Sequence, residues 1–564
     1  MLAEQQQATK LRSGAEILLD CLLDEQVETL FGYPGGAVLP IYDALYHYPQ
    51  IRHILTRHEQ AAVHAADGFA RVTGKTGVVL VTSGPGATNT VTGIANAYMD
   101  SVPLVIITGQ VPENMIGRDS FQEVDIYGIT MPITKHNYLI NDVNELATVV
   151  KEAFYIANSG RKGPVLIDIP KNIMTAQTDA EIPEQVKIRG YRGKPPVSQR
   201  MVERMAARIQ HARKPVFLIG GGVIGANASE IFRQLVEQTQ IPVVSTMMGI
   251  GAFPTRHPLF LGMLGMHGTF AANKAVHQAD LLIALGVRFS DRVMGKAKSF
   301  SPESYKIHVD VDASELNKNI KIDLPITADI QDVLLALQKY PLHVDTDEWV
   351  ELTTHWQKKV PRFDRSNSQL KPQSVIQLLD AATEGNGIVV TDVGQHQIWT
   401  IHNYAFAEPR SLLTSAGLGT MGYGLPAAIG AAFAAPNRQV ICISGDGSFQ
   451  MNLQELMTVV DHQLPIKIAI LNNGYLGMVR QWQELFFENR YSSVKISSPD
   501  FVTLAKSYGI TGLRAHSYEQ AKAIIQTAMS IDGPVLMEFD VAEEENVYPM
   551  VPPGGENHEM ILPE

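Results

Sequence analysis

Gln439-Val440-Ile441-Cys442-Ile443-Ser444-Gly445-Asp446-Gly447 and, 24 residues later, Asn472-Asn473 at the end of Ile466-Lys467-Ile468-Ala469-Ile470-Leu471 decide how this chain folds. Both runs are apolar and β-branched, and each stops abruptly at a glycine-bearing polar cluster. The segment 453–461 between them has helical spacing. Strand, helix, strand predicts a right-handed parallel βαβ unit, its neighbouring strands ~4.8 Å apart. Asp446 and Asn473 then project oxygens from adjacent strand ends onto one point. A hard cation such as Mg²⁺ takes carboxylate and amide oxygens and keeps positions for phosphate oxygens. The glycines admit a diphosphate close to the backbone, and a helix after Asp446 turns its N-terminus to the negative charge. Either cluster alone reads equally as an ordinary turn; the pair at two strand ends points to a metal–diphosphate site.

The same rhythm extends outward along the chain. Apolar runs at 77–82, 104–108, 165–169, 216–219, 281–285 and 387–391 alternate with helix-length amphipathic stretches. Such runs belong to parallel sheets covered on both faces. The rhythm breaks at 181–200, rich in Pro, Gly and Arg, and at 341–372, charged and ending in Lys-Pro. Taken as linkers, these divide the chain into three doubly wound α/β domains at 11–180, 197–340 and 372–545. A tail at 546–564 follows, rich in Pro and Gly from Tyr548. No short internal repeat or low-complexity tract is visible. Open parallel sheets bind ligands beyond the carboxyl ends of their strands, so chemistry is expected there.

Composition narrows the class. With 564 residues and 45% apolar content the chain can bury several cores. A net charge of −12 with scattered Lys and Arg disfavours a nucleic-acid partner. Cys21 and Cys442 form neither a disulfide framework nor a zinc site and fit a reducing compartment. The polar start, 1–11, carries no signal-peptide core, and no apolar run reaches the ~20 residues that span a bilayer. The expectation is a cytoplasmic protein without a membrane partner.

Further motifs sit at other strand ends. Arg57-His58-Glu59-Gln60-Ala61-Ala62 places Glu59 between the strand 51–56 and the helix 60–71. His64 follows His58 by six residues rather than four, which excludes the zinc-protease pattern. On its own, Glu59 also reads as a helix N-terminal acid favoured by the dipole. Phe31-Gly32-Tyr33-Pro34-Gly35-Gly36-Ala37 and Ser83-Gly84-Pro85-Gly86-Ala87-Thr88-Asn89 are Gly/Pro turns. Gly220-Gly221-Gly222-Val223-Ile224-Gly225 has dinucleotide-loop spacing between a strand and a helix. The next strand, 241–245, ends without the acid that would hold a ribose, which weakens an NAD reading. Met421 and Trp482 also read as core residues, and Lys171 as a solvated helix start.

In order and spacing from Leu11 onward, these segments resemble the thiamine-diphosphate enzymes, whose signature begins Gly-Asp-Gly and ends Asn-Asn. Arg57 through Gly68 matches their Arg-His-Glu-x-x-Ala-x-x-x-Ala-x-Gly pattern. The similarity is greatest to the biosynthetic, FAD-containing acetolactate (acetohydroxyacid) synthases, a transferase family. The resemblance implies a Mg²⁺ held by Asp446, Asn473 and the main-chain oxygen of Tyr475. It implies thiamine diphosphate held at Tyr33, Pro34 and Glu59, at Gly394, Gln395 and His396, and at Gly419 and Met421. Asp446, Gly447, Ser448 and Asn473 would take its diphosphate end. Glu59 would act on the cofactor's aminopyrimidine, and Met421 would wedge beneath its bent form.

FAD is implied by Gly220 and Gly222, by Thr246 and Met247 after the second strand of that domain, and by Leu264, Gly265, Met266 and His267. Gly286, Arg288 and Arg292, then Asp310 and Asp329, and the more distant Arg161 match further flavin positions. The family commonly has Asp where this chain has Ser290, one charge fewer near the flavin. The flavin would be structural, because carboligation moves no net electrons. Phe121, Gln122 and Lys171 match catalytic pocket positions beside Glu59, and Gly36, Arg292, Met478 and Trp482 match substrate positions. An apolar pocket of Met421, Leu476, Met478 and Phe121 would favour loss of carbon dioxide.

The implied reaction decarboxylates pyruvate and joins the fragment to a second pyruvate or to 2-oxobutanoate. This is the first common step of branched-chain amino-acid biosynthesis. The glutamate domain of one chain would face the metal domain of another, making a homodimer or tetramer, with a small regulatory subunit as a further partner. Pyruvate decarboxylases of the superfamily carry a His-His pair absent from the first domain here. Pyruvate oxidases would use the flavin for redox chemistry and lack the Trp482 pattern. A Rossmann-type FAD or NAD oxidoreductase, or a non-catalytic binding protein, would leave Glu59, Asp446 and Asn473 unexplained. The tail from Tyr548 is expected to close over the cofactor.

Overall fold

A computed structural model of the chain describes residues 11–359 and 369–563. Most of the polar start, residues 360–368 of the second expected linker, and the last residue of the tail lie outside the described residues. The chain divides into two compact units at the boundary between Gly193 and Lys194. No helix among the described residues is long and apolar enough to cross a membrane.

The first unit is built on one six-stranded sheet. Its spatial order is Arg52–Leu55, Thr29–Tyr33, Gly77–Val81, Leu104–Gln110, Pro164–Pro170 and His136–Leu139, every neighbouring pair parallel. Successive side chains of a strand point to opposite faces. Leu30, Leu80, Val105 and Ile167 therefore share one face, which packs with the helices Gly14–Asp24 and Leu146–Asn158. The helix Glu59–Thr73 packs on the strands Thr29–Tyr33 and Gly77–Val81 and against the helix Val91–Asp100.

The second unit holds two more parallel six-stranded sheets. One runs Phe260–Met263, Val243–Ser245, Pro215–Ile219, Leu281–Leu285, Tyr305–Asp310 and Leu324–Thr327. In chain order this is 3-2-1-4-5-6. The other runs Leu412–Leu413, Ile388–Thr391, Val440–Gly445, Lys467–Asn472, Val535–Asp540 and Thr511–Ala515. That order is 2-1-3-4-6-5, the same as in the first unit. In chain order, one topology occurs before and again after a differently ordered middle sheet, a duplication that no sequence repeat announces.

Three readings need correction. The stretch 341–372 is not all linker: Asp347–Gln357 is a helix whose Trp349 and Trp356 are buried against the middle sheet. Trp349 Nε1 also donates to Pro215 O at 3.0 Å. Two tryptophans seven residues apart share a helix face, and the surrounding charges hid them. Gly220–Gly225 is not an open loop before a long helix. Gly221–Gly225 is itself one short helix, and the longer Ser229–Thr239 starts after it. Likewise, the segment after Asp446 is a single turn, Asp446–Phe449, separate from Leu456–Asp461.

Candidate active site

In the first unit the carboxyl ends of neighbouring strands bring several expected residues together. Glu59 opens its helix, behind His58, whose side chain caps it by accepting from Gln60 N. Glu59 Oε2 accepts from Asn89 Nδ2 at 2.9 Å, which ties it to the turn 83–89. A Cβ on Gly86 would lie 3.4 Å from Glu59 Oε1, and one on Gly84 would lie 2.8 Å from Gln122 O. Glu59, this turn and Gln122 therefore form one cluster.

Phe121 beside it is 87% exposed. Glu123 holds the segment by accepting from Gly117 N and Ser120 N. Tyr33 and Pro34 leave the next strand; a Cβ on Gly35 would clash with Thr82 at 2.5 Å, whereas one on Gly36 would meet nothing within 4 Å. Lys171, itself exposed, begins a short helix at the end of Pro164–Pro170. Arg161 is not brought to this edge. It precedes that strand, at the amino end, and its Nε donates to Ser101 Oγ at 2.9 Å.

In the second unit a cleft opens at the carboxyl ends of Ile388–Thr391, Val440–Gly445 and Lys467–Asn472. It is lined by Gly394, His396, Met421, Asp446, Asn473 and Met478, with Gln395, Gly447, Ser448, Tyr475 and Leu476 completing the wall. Asp446 is 1% exposed; burial pushes its carboxyl up to about 6, although Ser498 Oγ donates to it at 3.1 Å. Asn473 Oδ1 already accepts from Tyr475 N at 3.1 Å. One lone pair of that oxygen remains for a cation. Gly447 is tightly framed: a Cβ there would lie 3.0 Å from Leu476 Cδ2 and 3.1 Å from Ile496 Cδ1.

His396 packs against Gly445, and burial holds its imidazole neutral by lowering its pKa to about 4. Its Nε2 and the Oε1 of Gln395 are buried with no hydrogen-bond partner among the described residues. Gln395 Nε2 is turned away, donating to Gln481 Oε1 and Glu545 O. Gly419, at φ +73°, leads into the loop that carries Met421. Among the described residues no three His, Cys, Asp or Glu side chains are grouped to hold a metal. A cation here would rely on one carboxylate, one amide and a carbonyl.

The middle sheet gathers most of the flavin candidates at its carboxyl edge. Gly222 and Gly286 touch where the strand order reverses: a Cβ on Gly222 would lie 2.6 Å from Gly286 Cα. Thr246 N donates to Ile219 O, and Met247 starts the turn after it. Asn273 clasps Gly265 through both its N–H and its carbonyl, and Leu264 N donates to Ser245 O. His267 is kept neutral by burial, its pKa lowered to about 4, and its carbonyl accepts from His402 Nε2 at 2.7 Å. Arg288 follows Gly286 at the end of Leu281–Leu285. Asp310 Oδ1 accepts from Asp312 N, and Asp329 caps the helix Ile330–Leu337.

The expected substrate residues Arg292 and Trp482 meet, the guanidinium carbon 5.9 Å from the ring centre. The tail threads along the same loops. Val551 N donates to Met266 O at 2.7 Å, Met266 N to Arg292 O, Asn557 Nδ2 to Val293 O, and Lys296 N to Gly555 O.

Sequence reasoning missed Asp392 and Ser498, and gave no role to the buried Arg480 of the Trp482 pattern, whose guanidinium binds Glu484 and Asn546. Asp392 had one legible signal, its place at the end of the strand before Gly394; Ser498 acts from a segment with no motif.

Three thiamine pyrophosphate enzyme family models match the chain: the N-terminal binding domain over 12–129, the central domain over 202–337 and the C-terminal binding domain over 392–539. The acetolactate synthase large subunit of Haemophilus influenzae is 45% identical over 98% of both chains. The isozyme 3 large subunit of Escherichia coli is 44% identical over 98% of this chain and 99% of its own. The acetolactate synthase of Mycobacterium leprae is 47% identical over 97% and 90%.

Proposed function

The chain belongs to the acetolactate synthase large-subunit family of thiamine pyrophosphate enzymes, and from that premise we propose that it decarboxylates pyruvate and ligates the two-carbon fragment to pyruvate or 2-oxobutanoate. One observation carries the reading: Asp446 and Asn473 end hydrogen-bonded neighbouring strands, above a glycine-framed cleft. The residues present fit the implied groups. The oxygens of Asp446, Asn473 and Tyr475 suit Mg²⁺, and Gly447 and Gly394 leave room for a diphosphate. The orphaned His396 Nε2 and Gln395 Oε1 offer polar contacts.

When bound, thiamine diphosphate supplies the nucleophilic carbon and the electron sink for decarboxylation. Glu59 keeps Oε2 engaged by Asn89, which leaves Oε1 to hold and return the proton shared with the cofactor ring. Met421, Leu476 and Met478 exclude water and favour loss of a charged carboxylate. Arg292 pairs with the carboxylate of the acceptor, and Trp482 beside it bounds the acceptor's side chain. FAD would lie on the glycine contact at Gly222 and Gly286 and along Gly265–His267, as a structural group. The decisive assay is acetolactate formation from pyruvate with FAD present, with and without thiamine diphosphate and Mg²⁺, beside Glu59→Gln. Acetaldehyde, or acetyl phosphate with an electron acceptor, would overturn the assignment.

Two copies complete each other in this reading, the Glu59 face of one chain closing the Asp446 cleft of another. The exposed Phe121, Met131 and Leu39 of the first unit support an apolar face that a partner covers. Mixing and reassociating inactive Glu59→Gln and Asp446→Ala chains should restore roughly a quarter of wild-type activity, because hybrid dimers hold one intact site. No recovery would count against sharing. The relatives' name, large subunit, supports a smaller companion chain, to be sought by affinity capture from the source cells. The two lone cysteines support a cytoplasmic setting.

A further inference from the structure

We infer that Asp392 is a positioning residue that sets Met421 across the cleft from Gly447, and so fixes how firmly the organic half of the cofactor is held; the inference rests on the thiamine-diphosphate reading of this cleft. Asp392 follows the strand Ile388–Thr391 and is 1% exposed. Both its oxygens are spent on backbone. Oδ1 accepts from Val393 N at 2.9 Å and from Gly422 N at 2.9 Å, and Oδ2 accepts from Gly424 N at 3.1 Å. One carboxylate thus ties the turn that begins the Gly394–His396 wall to the loop on the opposite wall.

That loop has little rigidity of its own. Gly419 and Gly422, at φ +73° and +90°, flank Met421 in left-handed conformations. Side chains must hold it: Ser415 Oγ accepts from Thr420 N, Asn452 Nδ2 donates to Gly422 O, and Asp392 takes the amides of Gly422 and Gly424. Held this way, Met421 Cε comes within 4.0 Å of where a Cβ on Gly447 would lie, directly beyond Asp446. A buried carboxylate is costly to desolvate, and several backbone donors offset that cost. Asparagine offers one oxygen, and its amide hydrogens would face one of the glycine N–H groups. Asp392→Asn therefore loosens the loop while removing few side-chain atoms.

The test titrates full-length chains, with FAD and saturating Mg²⁺, by quenching of tryptophan fluorescence; Trp399 lines the cleft. Asp392→Asn and Met421→Ala should each raise the dissociation constant for thiamine diphosphate by roughly 10-fold. The double variant should be little worse than either single one, because both changes break the same restraint. Inorganic diphosphate with Mg²⁺, which has no organic half for Met421 to hold, should be weakened clearly less by Asp392→Asn than thiamine diphosphate is. Additive losses, or equal weakening of inorganic diphosphate, would overturn the inference by making Asp392 a general structural group.

Asp446→Asn serves as the control. If it abolishes binding while Asp392→Asn changes nothing, this inference fails and the site stands; if neither matters, the reading of the cleft itself fails. Should Asp392→Asn not fold, hydrogen exchange on the unmodified, cofactor-free chain decides. The Gly422 and Gly424 amides should be protected at least 100-fold over free peptide rates, and unprotected amides would refute the restraint.

Discussion

Asp168→Asn should make the first unit more stable at neutral pH, and the gain should fade in acid. Asp168 lies in the strand Pro164–Pro170 and is 1% exposed. Its partners are neutral: Thr108 Oγ1 donates at 2.7 Å and Gln110 Nε2 at 3.0 Å. Burial pushes the carboxyl up to about 7 from its ordinary 3.8, and the negative charge of Asp125 adds to the rise. A group whose folded pKa is raised binds more protons folded than unfolded. The stability it contributes is complete below the unfolded value and lost as pH rises through about 7. The full shift corresponds to on the order of 4 kcal/mol, roughly 2–3 kcal/mol of it between pH 5 and pH 8.

Asparagine has no charge to bury and can keep both bonds, accepting from Gln110 and donating to the Thr108 hydroxyl. Urea unfolding of wild type and variant at pH 5, 6, 7 and 8, followed by exchange of the amides in Leu104–Gln110 and Pro164–Pro170, measures the difference. The variant's advantage should grow across that range. A difference that stays flat with pH, or a variant weaker at every pH, would refute a buried Asp168 whose proton affinity is raised in the folded chain.

Gly222→Ala should abolish flavin retention while leaving thiamine diphosphate binding intact, because its Cβ would lie 2.6 Å from Gly286 Cα; flavin absorbance after gel filtration reports it. Trp349→Ala should cost about 3–5 kcal/mol in urea unfolding, since it empties a buried site and orphans Pro215 O. Ending the chain after Tyr548 removes the bonds to Met266, Val293 and Lys296. The Michaelis constant for the acceptor should then rise with Arg292 freed, and unchanged kinetics would leave the tail without that role. Trp482→Leu should shift product partition when pyruvate and 2-oxobutanoate compete, read as the ratio of the two acetohydroxy acids.

What the sequence determined by itself was local. Gly-Asp-Gly and Asn-Asn at the ends of two apolar runs are neighbours through one short connection. A βαβ unit has only one hand, so Asp446 and Asn473 had to meet. The strand-to-helix place of Glu59, and the glycines whose missing side chains admit a neighbouring backbone, were legible for the same reason.

Tertiary structure decided what depends on distant segments. The strand order 2-1-3-4-6-5 appears twice without any repeated sequence, because topology needs only the apolar pattern and not the residues. Trp349 and Trp356 looked like part of a charged linker until the middle sheet gave their shared face something to bury. Asp392 and the tail carry no motif; their roles come from hydrogen bonds to backbone groups that any sequence would supply, and Ser498 reaches the Asp446 carboxylate from a distant segment. Only folding fixes which amide a carboxylate finds. The meeting of Arg292 with Trp482 is of the same kind, a contact between distant segments whose motifs give no hint of their distance.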